Sequence, residues 1–273
     1  MIALGGIFIV KEKKVKDKSA ILVVSFGTSF DDTREKNITK LENLIKETYP
    51  DFHVECAFTS GIIMKVLKER GISVLSVQEA MDKLKNGGFS KVFVQPTHLI
   101  PGDEYDKLCK AVKLYSSDFE SIEIGIPLLY TPEDCKRVLK SVFSAFPLSD
   151  DTGLVLMGHG SAHFANCIYP AMNYMCTSEN LKNVFIATVE GFPELDDIIP
   201  QIEAAKLKKL YVTPLMLVAG DHATNDMAGD DDSWKNILES KGFEVECTVK
   251  GLGEYDEVCD LYLEHLSKLL KRQ

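Results

Sequence analysis

The stretch LYVTPLMLVAGDH, residues 210–222, repeats an earlier one, VFVQPTHLIPGDE, residues 92–104. In constant register the two share Val94 with Val212, Pro96 with Pro214, Leu99 with Leu217, Gly102 with Gly220 and Asp103 with Asp221. A second pair lies upstream in the same order. VVSFGTS (23–29) matches LMGHGSA (156–162), which sets Gly27 against Gly160 and Thr28 against Ser161. Each block opens as an apolar run suited to a strand buried on both faces of a parallel sheet, then breaks into small and polar residues. Two matches in one order predict an internal duplication.

Working outward, strand-like runs alternate with helical periodicity on both sides of the repeat. AILVVSF (20–26) precedes a helix beginning near Asp31 and Asp32, with Ile38, Leu41, Leu44 and Ile45 at helical spacing. HVECAF (53–58), helices over 61–70 and 76–86, and KVFVQPTHL (91–99) follow. The second half reads GLVLMGHG (153–160), a helical segment, NVFIATVE (183–190), the helix ELDDIIPQIEAAK (194–206) and KLYVTPLMLV (209–218). This alternation predicts an α/β fold, two similar domains with parallel sheets facing across a cleft. The expected division is an N-terminal extension (1–18), a first domain (19–148) and a second domain (149–254). The boundary falls in FPLSDDTG (146–153), where both periodicities break. An amphipathic helix over 255–273 should pack back on the first domain.

The composition narrows the partners. The chain has 273 residues, 45% hydrophobic and 26% charged, enough for a sizeable core. Its 31 basic and 41 acidic residues give a net charge of −10, and no basic run tracks a phosphate backbone, so nucleic acid is not expected. Seven scattered cysteines without a C-x-x-C pair read as reduced thiols of a cytoplasmic protein. In MIALGGIFIVKEKK the apolar residues precede the basic ones, the reverse of a signal peptide, and the run is too short to span a bilayer; no membrane partner is expected.

The duplication also isolates the chemistry. Where the first half has Phe26, Ser60 and Glu104, the second has His159, Glu190 and His222. Three polar groups brought to one sheet edge make a first shell for a divalent transition metal, or a pair of bases around a proton to be removed. SFGTS (25–29) reads as an anion-holding turn in which Ser25, Thr28, Ser29 and nearby backbone amides face a carboxylate. It lacks the Gly-Lys-Ser/Thr signature of a nucleotide-binding loop, so ATP is not expected. Of the other histidines, His163, one helical turn past His159, reads as an exposed first-turn residue, with lining of the cleft as the alternative, and His53 and His265 as surface residues. His98 is open between a cleft-facing and a buried, hydrogen-bonded role. Asp230, Asp231 and Asp232 read as a solvated loop before a helix capped by Ser233.

VVSFGTSFDDTREKNI, AFTSGIIMKVL, THLIPGDEYDK, LMGHGSAHFA, VEGFPELDDII and PLMLVAGDHATNDMAGDDDSWK together resemble the anaerobic sirohydrochlorin cobaltochelatases of cobalamin biosynthesis, over about residues 20–270. The resemblance implies a class II chelatase that needs neither ATP nor a second type of subunit, with two Rossmann-like halves similar to protoporphyrin ferrochelatase. It places the family's metal-binding histidines on His159 and His222 and its glutamate on Glu190, with Glu104 as a partner from the opposite domain. The substrates it implies are Co²⁺ and sirohydrochlorin. His159 and Glu190 would take up the pyrrole protons, and the ring carboxylates would rest on Ser25, Thr28 and Ser29. Insertion of Fe²⁺ or Ni²⁺, or a carrier that holds metal without turnover, are the competing readings, since the same ligands suit all three ions. A homo-oligomer is expected, although no motif specifies its order.

Overall fold

The computed structural model describes residues 18–272, so the reading of the first seventeen residues lies outside the described part. The element order is β1 (Ser19–Ser25), α1 (Asp31–Thr33), a π-helical segment (Arg34–Thr39), α2 (Lys40–Thr48), β2 (His53–Phe58), α3 (Gly61–Glu69), α4 (Val77–Asn86), β3 (Lys91–Pro96), α5 (Asp103–Lys113), β4 (Ser121–Ile124) and α6 (Pro132–Ser144). The second half follows with β5 (Thr152–Gly158), α7 (Ile168–Ser178), β6 (Val184–Thr188), α8 (Leu195–Ala204), β7 (Lys209–Pro214), a π-helical turn (Ala223–Met227), α9 (Trp234–Ser240), β8 (Glu244–Cys247) and α10 (Asp256–Leu270). The first sheet has the order β2-β1-β3-β4 and the second β6-β5-β7-β8, all strands parallel. Strand for strand this is one plan used twice, as the repeat predicts.

The aligned prolines explain where the central strands stop. Proline has no N–H for the ladder, and β3 ends at Pro96 as β7 ends at Pro214. Only one further ladder bond follows each, Thr97 N–H to Val24 O at 2.8 Å and Leu215 N–H to Met157 O at 2.7 Å. The strands expected to run to Leu99 and Val218 are therefore shorter. The apolar run after Pro214 is a loop whose carbonyls accept from the backbone of Leu252 (to Met216, 2.8 Å) and Gly253 (to Leu217, 3.1 Å). The edge strands β4 and β8 escape the sequence reading because SIEI and EVEC are four residues each, half polar and incompletely buried. Helices α5 and α6 were likewise not anticipated, whereas α9 begins where the Ser233 cap predicts.

Three apolar layers cover the two sheets. Val77, Ala80, Met81 and Leu84 of α4 with Leu108 and Val112 of α5 pack on one face of the first sheet. Leu195, Ile198 and Ile202 of α8 with Trp234 and Leu238 of α9 pack on the outer face of the second. Between the sheets lies a single continuous layer, joining Ile21 and Phe93 to Leu139, Leu154, Met172, Tyr211, Leu261 and Leu266. The last helix crosses back to the first sheet, where the Tyr262 hydroxyl donates to Thr97 O at 2.7 Å and Arg137 of α6 makes a bidentate pair with Glu264, both contacts 2.7 Å. His265 belongs to this packing and not to the surface: it is buried, with Nε2 3.2 Å from the equally buried Asp134 Oδ1. The helical face of α10 that carries Tyr262, Leu266 and Leu269 also carries His265, so the periodicity placed it inward. His53 is exposed as expected, and Ser233 caps α9 by accepting from Asn236 N–H at 3.3 Å. Among the described residues no helix is long and apolar enough to cross a membrane.

Candidate metal centre

At the C-terminal edge of the second sheet, two loops are stitched together beyond the strands. The β5–β6 ladder continues through Val189 N–H to Gly158 O (3.1 Å) and Glu190 N–H to His159 O (2.8 Å), which seats His159 and Glu190 side by side. Gly160 permits the contact. It has φ +85, and a Cβ there would lie 2.5 Å from the backbone nitrogen of Gly191 and 2.8 Å from the carbonyl carbon of Glu190. Gly27, its counterpart in the repeat, has φ +103 and a Cβ on it would strike the Phe58 ring. Left-handed backbone that favours glycine is thus kept at both equivalent turns.

His222 arrives from the loop after β7, at the start of the π-helical turn. Its ring meets that of His159 edge-on, with centroids 4.7 Å apart and planes at 88°. One ligand atom from each of His159, Glu190 and His222 lies within 4.8 Å of the other two. The side chains are 46%, 59% and 27% exposed, so the group is open to solvent on one side and a metal ion can enter without unfolding anything.

Hydrogen bonds set the tautomers of both rings. A carbonyl or carboxylate oxygen can only accept, so the ring nitrogen facing it must donate. His159 Nδ1 donates to Gly160 O at 3.0 Å, with Glu190 Oε2 at 3.8 Å on the same side. His222 Nδ1 donates to Asp226 Oδ2. In the neutral form of each ring this leaves the lone pair on Nε2, through which imidazole can bind a metal.

The remaining sequence candidates fall around this group and not within it. Glu104, at the start of α5, pairs with Lys107 at 2.6 Å and is half-buried. The Ser25 hydroxyl, 1% exposed, accepts from Thr97 Oγ1 at 2.8 Å underneath the sheet edge and faces no cleft. Thr28 is also buried; its Oγ1 accepts from Phe30 N–H at 3.3 Å and would lie 3.7 Å from a Cβ on Gly220, so the first repeat turn abuts the loop carrying His222. Ser29 is partly exposed and its carbonyl accepts from Arg70. His163 departs from the expectation of an exposed first-turn residue. It faces the other half, with Nε2 3.9 Å from Asp106 Oδ2, and Ser161 Oγ reaches Asp103 Oδ2 at 3.5 Å. These contacts join α5 of the first half to the loop after His159. His98 is buried but neither ring nitrogen has a hydrogen-bond partner, so only the burial of the expected alternative is present. Burial pushes its pKa down to about 4, against an opposing pull from Glu104.

Asp226 was not among the sequence candidates. The available signal was its spacing, four residues after His222 in a segment with helical character.

The chain matches the family model described as Cobalt chelatase (CbiK) over residues 19–271. It belongs to the cobalt chelatase (CbiK) family. A sirohydrochlorin cobaltochelatase of Salmonella typhimurium is 38% identical over 256 residues, covering 93% of this chain and 97% of that protein. Sirohydrochlorin cobaltochelatase CbiKC of Nitratidesulfovibrio vulgaris is 32% identical over 255 residues, covering 92% and 90%. Membership of the family makes this protein a metal chelatase, as the resemblance implied. The fold has counterparts at lower identity. SirB from Bacillus subtilis with Fe³⁺ superposes with a TM-score of 0.65 at 14% identity, covering 92% of this chain and 95% of that one. A second SirB structure, in complex with cobalt, gives 0.59 at 15% identity, covering 93% and 96%.

Proposed function

We propose that this cobalt chelatase inserts Co²⁺ into sirohydrochlorin with His159, Glu190 and His222 as the ligands that receive the ion. The carrying observation is the convergence of His159, Glu190 and His222, one ligand atom from each within 4.8 Å of the other two, at an open sheet edge. Two neutral imidazoles and a carboxylate suit Co²⁺, and equally Fe²⁺ or Ni²⁺; the choice of cobalt and of sirohydrochlorin rests on the family and its relatives. Residues 19–148 would form the wall opposite the metal-bearing 149–254, with the final helix belonging to the first half.

The reaction exchanges two protons for one metal ion: the macrocycle gives up two pyrrole N–H protons, and Co²⁺ gives up its protein and water ligands for four ring nitrogens. A rigid ring admits the ion from one face, so the ligands need only hold it there while it is handed over. His159 and Glu190, more exposed than His222, would take up the departing protons. Glu104 from the facing half supplies a further carboxylate to the cleft, and Thr28 and Ser29 with neighbouring amides would seat the ring's peripheral carboxylates. No nucleotide is called for, since neither repeat turn carries the lysine of a phosphate-binding loop.

Anaerobic incubation of the protein with sirohydrochlorin and Co²⁺, followed by visible absorption, tests the proposal. Multiple turnovers are expected from the wild type, and at least a hundredfold slower insertion from His159→Ala and from His222→Ala, each with the fold intact by circular dichroism. Insertion by both variants at the wild-type rate would place the site elsewhere, and a spectral change that stops at one equivalent of enzyme would make the protein a carrier.

A further inference from the structure

The two imidazoles are held differently. His159 Nδ1 rests on the neutral carbonyl of its own neighbour Gly160, whereas His222 Nδ1 rests on the carboxylate of Asp226. Among the described residues the Asp226 side chain has no other hydrogen bond or ion pair, and it is 45% exposed, so it contributes little to the core. The turn it sits in is secured by its neighbours: Asn225 Nδ2 donates to Asp221 Oδ1 at 2.9 Å, Thr224 Oγ1 to Gly220 O at 3.0 Å, and Gly229 N–H to Asn225 O at 3.0 Å. A carboxylate with a single partner, on a turn that closes without it, acts through that partner.

We propose that Asp226 is a positioning residue, which fixes His222 in the Nδ1–H tautomer, aims Nε2 at the incoming ion and places a negative charge behind the ring. This rests on the metal-site reading of His222. A carboxylate behind a ligating histidine raises its donor strength and locks its orientation, and such partners are commonly worth 10- to 100-fold in metal affinity. The site is accordingly asymmetric, with His222 the fixed anchor and His159, whose one ring hydrogen bond is to a carbonyl, the more easily displaced ligand during transfer to the ring.

The test uses the full chain without tetrapyrrole. Co²⁺ affinity is measured anaerobically for wild type, Asp226→Ala, Asp226→Asn, His222→Ala and the Asp226→Ala/His222→Ala double variant, alongside ¹⁵N spectra of the metal-free histidines. Asp226→Ala should bind Co²⁺ about 10- to 100-fold more weakly with an unmoved thermal midpoint. Asp226→Asn should fall between, since its amide oxygen still accepts from Nδ1. The double variant should lose nothing beyond His222→Ala. The ¹⁵N spectrum should show one His222 tautomer in the wild type and a mixture in Asp226→Ala. Wild-type affinity in Asp226→Ala, or the same loss on the His222→Ala background, would overturn the proposal. If His222→Ala itself bound Co²⁺ normally, the metal-site reading would fail first, while the tautomer shift would still report whether Asp226 orients the ring.

Discussion

His98 shows what a single residue can cost when its surroundings are wrong for its charge. Buried with both ring nitrogens unpaired, it stays neutral in the folded protein down to about pH 4, while in the unfolded chain it takes up a proton near pH 6.5. Between those values the unfolded state binds more protons, so stability falls as pH falls, by an amount on the order of 3 kcal/mol across the window. His98→Leu should therefore lose less stability than wild type in urea titrations taken from pH 7 to pH 4; parallel profiles would mean that His98 is protonated in the fold. The sequence marked His98 as one of two alternatives, because the residue type and a nearby strand cannot report whether a partner is within reach. His159 and His222 were legible for a different reason. The duplication supplied an internal reference in which Phe26 and Glu104 occupy the equivalent places, and a polar residue that differs between two copies of one frame stands out.

At the scale of elements, the candidate metal centre depends on two loops touching through glycine. Gly160 and the Glu190–Gly191 backbone leave no room for a methyl group, and the positive φ adds the strain of left-handed backbone, about 1–2 kcal/mol. Gly160→Ala should lower stability by about 2 kcal/mol or more and weaken Co²⁺ binding by pushing Glu190 away from His159; denaturant unfolding together with a Co²⁺ titration checks both. A stability loss with unchanged Co²⁺ affinity would show that the ligand spacing survives the displaced loop. Apart from β4 and β8, strand existence was legible in the apolar runs, but strand ends were not. The run Leu215–Ala219 is apolar because the loop is sandwiched against Leu252 and Gly253, and only Pro214 hinted that the ladder had already stopped. Asp226 was missed for the same reason: its meaning depends on a π-helical turn that no local propensity announced.

For the whole molecule, the decisive feature is that the two repeats share a core. Leu154, Met172 and Tyr211 of the second half lie in one apolar layer with Phe93, Leu139 and Leu261. Separating the halves would expose that layer to water at roughly 25 cal/mol per Å². The chain should therefore unfold as one unit. Trp234, the only tryptophan, reports on the second sheet's outer helix layer, while far-UV circular dichroism reports on all of it. The two signals should give coincident guanidinium transitions; a separate, earlier tryptophan transition would mean that the second half unfolds alone.

The sequence by itself determined the repeated α/β plan, the edge at which its chemistry gathers and the three side chains that converge there. Those follow from short-range rules: apolar runs make strands, prolines and glycines end them, and a duplicated frame shows which polar residues were exchanged. Tertiary structure alone decided the hydrogen-bond partners of the two imidazoles, the carboxylate behind His222, the burial of Ser25, His98 and His265, and the contacts of Asp103 and Asp106 with the second half. Each of these depends on where a side chain meets an atom distant in sequence, or on how a turn is wound, and hydrogen-bond geometry and desolvation are properties of that meeting, not of either residue alone.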